Sequence, residues 1–254
     1  MANYYNIIIG LNQEPGSIEM KLKIINLQKN FESKEVLKDI TFTFETGKIY
    51  GLLGKNGAGK TTLFNCINED LPIDGGSFVI EEDGAERCVV PDDIGYVLST
   101  PAVPEFLTGR EFLKFFLDIN AEKVKEPKAI DEYFAFMDIE EEDRDKLMKD
   151  YSHGMKNKMQ MLVNIIGSAG ILLLDEPLTS FDVLVAEQMK DLLRQIKSDH
   201  IIIFSTHIMD LAVSLCDEIV ILNNGVLEEI DKTNLTESGL KERVISILKG
   251  EDNV

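Results

Sequence analysis

Gly51-Leu52-Leu53-Gly54-Lys55-Asn56-Gly57-Ala58-Gly59-Lys60-Thr61-Thr62 is the stretch whose reading decides the fold. An apolar run ending in Ile49-Tyr50 leads into it, and Leu63-Phe64-Asn65-Cys66-Ile67 leaves it as the first turns of a helix. Gly54 to Thr61 satisfies G-x-x-x-x-G-K-[ST], the phosphate-binding loop. Each residue type has a physical reason. Glycines let the backbone turn tightly, so that successive N–H groups converge on phosphate oxygens. The helix behind the loop adds partial positive charge from its N-terminus. Lys60 reaches for the β- and γ-phosphates, and the Thr61 hydroxyl for Mg²⁺. The competing reading is an ordinary Gly-rich strand-to-helix turn, and the strand–loop–helix context weighs against it.

Working outward, 254 residues suffice for one large domain with a subdomain. The 45 Asp and Glu against 26 Lys and Arg leave a formal charge of -19. That balance argues against nucleic-acid binding, which needs clustered cations, and against direct docking on an anionic membrane. A membrane role therefore runs through a protein partner. Cys66, Cys88 and Cys216 are odd in number and far apart, so they frame neither disulfides nor a zinc site, and a reducing cytosol is expected. Apolar runs such as Ile171 to Leu174 are too short to span a bilayer. The N-terminus lacks a basic segment before its apolar stretch, so no signal peptide is expected.

Residues 1–19 read as a loose extension, with Tyr4 to Ile9 a candidate strand and Glu14-Pro15-Gly16-Ser17 a turn. From Lys21 the pattern alternates: Leu22 and Ile24, then Ile40, Phe42 and Phe44, share one face between polar neighbours. Period two predicts half-buried antiparallel strands. Asp74-Gly75-Gly76-Ser77 reads as a turn into a further strand, Phe78-Val79-Ile80. Phe31, taken alone, reads as a strand-end core residue, although an aromatic can also stack on a base.

The middle of the chain is helical. Thr108 and Glu111 form a capping box ahead of Phe112, Phe115, Phe116 and Ile119, and Ile130, Phe134 and Met137 repeat the helical spacing. The charges of Glu140 to Asp145 read as a solvated loop. Ser152 reads as the N-cap of a helix carrying Met159, Leu162, Val163 and Ile166 on one face. Ile171 to Leu174 is a strand buried on both faces, and it ends in Asp175-Glu176-Pro177. Two carboxylates leaving a buried strand are costly unless they serve a metal or a proton transfer. Beside a phosphate loop, Asp175 supports Mg²⁺ and Glu176 orders and deprotonates a water. A second buried strand, Ile201 to Phe204, ends in Ser205-Thr206-His207, where an imidazole can meet a γ-phosphate. From Lys232 on, Leu240, Val244 and Leu248 stand at helical spacing, which suits a small dimer or partner helix but reads better as a surface helix packed on its own core.

Together these residues resemble the nucleotide-binding domain of an ABC transporter, over roughly residues 20 to 235. The motifs come in the family's order: Walker A at Gly54–Thr62, a Y-S-x-G-M signature at Tyr151–Met155, and Walker B at Ile171–Glu176. A D-loop at Leu178 to Asp182 and the switch histidine His207 follow. The resemblance implies an α/β ABC ATPase fold. This is a phosphate-loop NTPase core with a mainly parallel sheet, an antiparallel β subdomain and an inserted helical subdomain at about 100–167. It divides the chain into an extension (1–19), an ATPase domain (20–235) and a helical tail (236–254). It also implies ATP and Mg²⁺ as cofactors. Phe31 falls at the adenine-stacking position, with Gly54, Asn56, Gly57, Ala58, Gly59, Lys60, Thr61 and Thr62 on the phosphates. Thr61, Asp175 and Ser99 would serve the metal, with Glu176 as base and His207 and Lys60 beside it. Ser152, Gly154 and Asp182 would act across a head-to-tail dimer, homo- or heteromeric. The partner implied is a separate transmembrane permease, which places the chain in the cytoplasm, peripheral on the inner membrane face without inserting.

Two positions depart from the family pattern. Ser99 stands where the glutamine after Ile94-Gly95-Tyr96 is usual, and offers a hydroxyl of shorter reach to the metal and the coupling path. His153 replaces the first signature glycine, as bulkier residues do in exporter-type domains, and Tyr96 to Leu107 resembles the Ecs- or bacitracin-type group. The expected function is the ATP-hydrolysing motor of an exporter. Ser99 also suits an ATP-binding switch of low turnover. A soluble ABC ATPase of translation or repair is disfavoured by the single phosphate loop, the acidic charge and the lack of heptad arms. A GTPase is disfavoured because Asn157-Lys158-Met159-Gln160 does not complete N-K-x-D.

Overall fold

Alternation along the buried strands sorts their side chains into two cores. Tyr50 and Leu52, Ile171 and Leu173, and Ile201 and Ile203 point to one side, while Ile49 and Leu53, Leu172 and Leu174, and Ile202 and Phe204 point to the other. A sheet whose strands are apolar on both faces must be covered on both. The computed structural model, which describes residues 19–32, 34–124, 127–167, 169–178, 183–230 and 237–249, shows what covers it. The expected strand at Tyr4 to Ile9, the turn at Glu14 to Ser17 and the D-loop residue Asp182 lie outside the described residues.

The central sheet has six strands in the order β10-β9-β3-β8-β7-β6. In sequence these are β3 (Ile49–Leu53), β6 (Ile94–Val97), β7 (Ile171–Asp175), β8 (Ile201–Thr206), β9 (Glu218–Asn223) and β10 (Val226–Ile230). All neighbours pair in parallel except β10, which returns antiparallel on β9. One face packs against a second, antiparallel sheet in the order β2-β1-β4-β5: β1 (Met20–Phe31), β2 (Lys34–Glu45), β4 (Gly75–Glu82) and β5 (Ala85–Cys88). The core between them holds Leu22, Ile24, Ile40 and Phe44 with helix α1 (Lys60–Ile67), while Phe42, expected on the same face, is half-buried against it. Gly75 and Gly76 belong to β4 itself rather than to a turn before it. Gly76, at φ +85°, sits so close to the Asn26 carbonyl that a Cβ would lie 2.4 Å away, and the β1–β4 register shifts there.

The other face is covered by helices: α2 (Gly109–Ile119), α3 (Ile130–Phe136), α4 (His153–Ile166), α5 (Val183–Ile196), α6 (Met209–Leu215) and α7 (Glu237–Lys249). The Thr108–Glu111 capping box closes as the sequence predicts: the Thr108 hydroxyl accepts from the Glu111 amide at 3.1 Å, and the Glu111 carboxylate accepts from the Thr108 amide at 2.9 Å. The acidic run after α3, expected as a loop, is mostly exposed and holds a 3-10 turn at Glu141–Asp143; Arg110 pairs with its Asp145, and its Arg144 pairs with Asp131 of α3. Helix α4 buries more than the one apolar face expected. Asn157, Lys158 and Gln160 are buried with Met159, Met161, Leu162 and Ile165, because the helix is wedged between the sheet and the α2–α3 pair. Gln160 accepts from the Ala102 amide, and Lys158 donates to the Asp138 carbonyl. In α7, Leu240, Val244 and Ile247 face the core, so this helix packs on its own chain. Among the described residues no helix is long and apolar enough to cross a membrane.

Candidate functional site

The site forms where the parallel strands end. β3 delivers the chain into the phosphate loop, and α1 starts from Gly59, which caps the helix in the left-handed region at φ +109°. A side chain there would be strained, and its Cβ would lie 3.0 Å from Val36 Cγ1. Gly54 is needed for a different reason: a Cβ would lie 2.8 Å from the Leu222 carbonyl oxygen. The loop is thus clamped against β9 behind it.

Lys60 is almost fully buried, and its ammonium donates to the Gly54 carbonyl at 2.8 Å. Burial pushes its pKa below the ordinary 10.5, opposed by the Glu176 and Asp175 carboxylates. The charge is therefore costly where it lies, and an anion in the loop would relieve it.

Register decides what meets the loop. β7 pairs β8 so that Asp175 lies opposite Ser205. The Ser205 hydroxyl donates to Asp175 Oδ1 and accepts from the Glu176 amide. Asp175 Oδ2 accepts from the Thr61 hydroxyl at 2.9 Å. Asp175 is buried, so its orientation is set on both oxygens. The next residue, Glu176, takes φ +49°, a conformation that costs a non-glycine residue about 1–3 kcal/mol and persists only where its surroundings impose it. Its carboxylate lies against His207 Nδ1, at 3.0 Å from Oε1 and 2.8 Å from Oε2.

A cleft of about 510 Å³ brings together Phe31, Asn56, Gly57, Gly59, Lys60, Thr61, Thr62, Ser99, Asp175 and Glu176. Phe31 is 43% exposed at the end of β1, with the Lys29 ammonium 5.2 Å from its ring centroid, so it is not a core residue. Ala58 faces away from this cleft, on the far flank of the loop. Ser152 and Gly154 do not line it. Ser152 caps α4, accepting from the Met155 amide at 3.1 Å, and is exposed.

Four participants escaped the sequence reading. Ser205 had no motif to mark it beyond its place two residues before His207. Lys34 and Val36 also line the cleft, carried there by the hairpin of β1 and β2. Tyr96, whose hydroxyl donates to Asn65 Oδ1 at 3.0 Å, has its pKa raised by burial and by the Asp175 charge nearby.

The family model described as ABC transporter matches residues 37–179. The chain is 30% identical over 234 residues to the uncharacterized ABC transporter ATP-binding protein YxlF of Bacillus subtilis, covering 88% of this chain and 78% of that one. It is 33% identical over 207 residues to the uncharacterized ABC transporter ATP-binding protein MJ1023 of Methanocaldococcus jannaschii, covering 81% and 75%. Human ATP-binding cassette sub-family A member 6 is 33% identical over 220 residues, 82% of this chain but 13% of that much longer protein. The fold is shared with the ATP binding subunit of an ABC transporter (TM-score 0.74, 24% identity, 89% of this chain and 98% of that one). It is also shared with the ATP-binding cassette MJ0796, solved as a dimer in a post-hydrolysis state bound to ADP and Pi (TM-score 0.70, 18% identity, 84% and 100%).

Proposed function

This chain belongs to the ABC transporter family and is an ATP-binding ATPase, and on that premise we propose that it is the motor subunit driving a separate transmembrane permease. The observation that carries the reading is the convergence of Lys60, Thr61, Asp175 and Glu176 on one cleft, with His207 against Glu176. In this reading residues 20–235 form the ATPase domain with its helical subdomain at about 100–167, and 236–254 form a tail. Export is the direction favoured by the Y-S-x-G-M signature, and attachment to the cytoplasmic membrane face follows from the permease.

Each side chain then has a task. Phe31 stacks on the adenine, and the amides of Asn56, Gly57 and Gly59 to Thr62 receive the phosphates, while that of Ala58 is spent on the Lys55 carbonyl. Lys60 exchanges the Gly54 carbonyl for phosphate oxygens and offsets the negative charge that builds up during transfer. Glu176 takes a proton from the attacking water. As the water oxygen bonds to the γ-phosphorus, the bond to ADP breaks and ADP leaves with the electron pair. His207 holds the Glu176 carboxylate in position.

Thr61 and Asp175 would hold Mg²⁺. A buried carboxylate beside a hydroxyl is a hard-oxygen donor pair, and no cluster of three or more His, Cys, Asp or Glu occurs among the described residues. That oxygen pair suits a cation bound by one or two carboxylates and the substrate's own phosphates. When bound, such a cation would supply charge neutralisation to the substrate's phosphates. Ser99 lies in the cleft and offers a further oxygen.

Ser152 and Gly154 stand outside the cleft although their motif contacts nucleotide in the family. This supports a head-to-tail dimer, with an identical or related chain, in which they and Asp182 reach the partner's ATP. The second reading, a slow ATP-binding switch, is favoured by Ser99 alone.

Glu176→Gln separates the two readings. The motor reading expects ATP affinity near the parent's and phosphate release about 10²–10⁴-fold lower. Equal release by the variant and the parent removes Glu176 as base. Purification from membranes tests the partner: an integral membrane protein should accompany the chain.

A further inference from the structure

The phosphate loop has two flanks, and the one turned away from the nucleotide cleft is also hollow. A second cleft of about 360 Å³ lies there, lined by Lys34, Lys38 and Lys55 with one carboxylate, Glu35. In a chain of charge -19, these three lysines make no ion pair and no side-chain hydrogen bond among the described residues. Ammonium groups gathered in a concave surface reinforce one another's field and draw in an anion.

The walls are held by backbone geometry. On one side the Ala58 amide donates to the Lys55 carbonyl at 3.0 Å, closing a turn in which Gly57 has φ +78°. On the other, Asn224 and Gly225, at φ +50° and +87°, form the tight turn between β9 and β10. The Lys38 amide donates to the Gly225 carbonyl at 2.7 Å, tying β2 to that turn. A Cβ on Gly225 would lie 2.9 Å from Lys38 Cγ, so the lysine stem is laid along the turn. Asn223, at the end of β9, is fixed by donating to the Ile247 carbonyl in α7 at 2.8 Å.

Lys34, Val36, Asn56 and Gly57 line both clefts, so the two share a wall. The volume is that of a small-molecule site, and lysines act as point charges well suited to phosphate oxygens.

We propose that this flank cleft binds a small multivalent phosphate anion at the same time as the neighbouring cleft holds its nucleotide. The proposal takes the nucleotide reading only as the identity of its neighbour. The probe is inorganic pyrophosphate, titrated calorimetrically into the full chain with and without saturating non-hydrolysable ATP analogue. One pyrophosphate site per chain should persist in the analogue-saturated protein. Lys38→Glu should weaken it about tenfold or more, and Lys38→Gln less, because charge rather than shape is removed. The distant, exposed Lys114→Glu should bind as the parent does. Unchanged melting temperatures establish that the variants fold. No pyrophosphate binding once the analogue is bound, or equal binding by Lys38→Glu, overturns the proposal. If the analogue itself fails to bind, the nucleotide reading falls, and the effect of Lys38→Glu on pyrophosphate binding to the empty protein still decides the flank site.

Discussion

His207 Nδ1 lies 2.8 Å from Glu176 Oε2, joining the tip of β8 to the tip of β7. The contact aims a carboxylate whose own backbone is held at positive φ. Removing the imidazole by His207→Ala frees that carboxylate to leave its position. Phosphate release should fall by about 10²-fold or more, because a misplaced base forfeits most of its contribution. Nucleotide affinity should change little. Single-turnover phosphate release, run beside an equilibrium binding measurement, separates the two.

Ser205 bridges Asp175 and the Glu176 amide from inside the protein. Ser205→Ala keeps the volume nearly unchanged but leaves a carboxylate oxygen and an amide without this partner. The expected cost is about 1–3 kcal/mol of stability, read from denaturant unfolding. ATP hydrolysis should fall with it, since both acidic side chains lose their fixed orientation. A variant with parental stability and activity would show that the bridge is dispensable.

Phe31 is 43% exposed and lies at the rim of the cleft, where a hydrophobic ring has little packing to gain. Phe31→Ala should weaken ATP binding by about 1–3 kcal/mol, the range measured for base–aromatic stacking. Phe31→Tyr should bind nearly as the parent. Competition against a fluorescent nucleotide gives both numbers.

His200 is buried beneath β8, with Nδ1 2.8 Å from the Ile196 carbonyl oxygen, and burial pushes its pKa below the ordinary 6.5. Its unfolded form takes up a proton first as pH falls. Stability is therefore full above about pH 6.5 and is lost as pH drops towards the folded value, by about 1.4 kcal/mol per unit of depression. His200→Asn keeps a donor for Ile196 but cannot titrate. Between pH 7 and pH 5 its melting temperature should fall less steeply than the parent's.

Local chemistry made much of this molecule legible. The turns of Gly57 and Gly59, the capping box of Thr108 and Glu111 and the N-cap at Ser152 depend on residues within four positions of each other. So does the alternation that places Leu22, Ile24, Ile40 and Phe44 in one core. Order along the chain then connected the phosphate loop with Asp175, Glu176 and His207, because each ends or follows a recognisably buried strand.

Register and packing were not legible. That Ser205 bonds Asp175, thirty residues away, follows from the parallel pairing of β7 with β8. Nothing in a serine near a strand end announces which neighbour it will face. The burial of Asn157, Lys158 and Gln160 in α4 depends on what wraps the helix, not on its own spacing. The flank cleft brings Lys34 and Lys38 of β2 together with Lys55 of the loop and the Asn224-Gly225 turn, segments up to 191 residues apart. Backbone conformations and hydrophobic faces are set by near neighbours, so the sequence by itself determined the strands β1 to β4, β7 and β8, the helices α1 to α4 and α7, and the phosphate loop. Which charges and hydroxyls meet is set by strand register and by the docking of distant turns, and only the tertiary structure decided that.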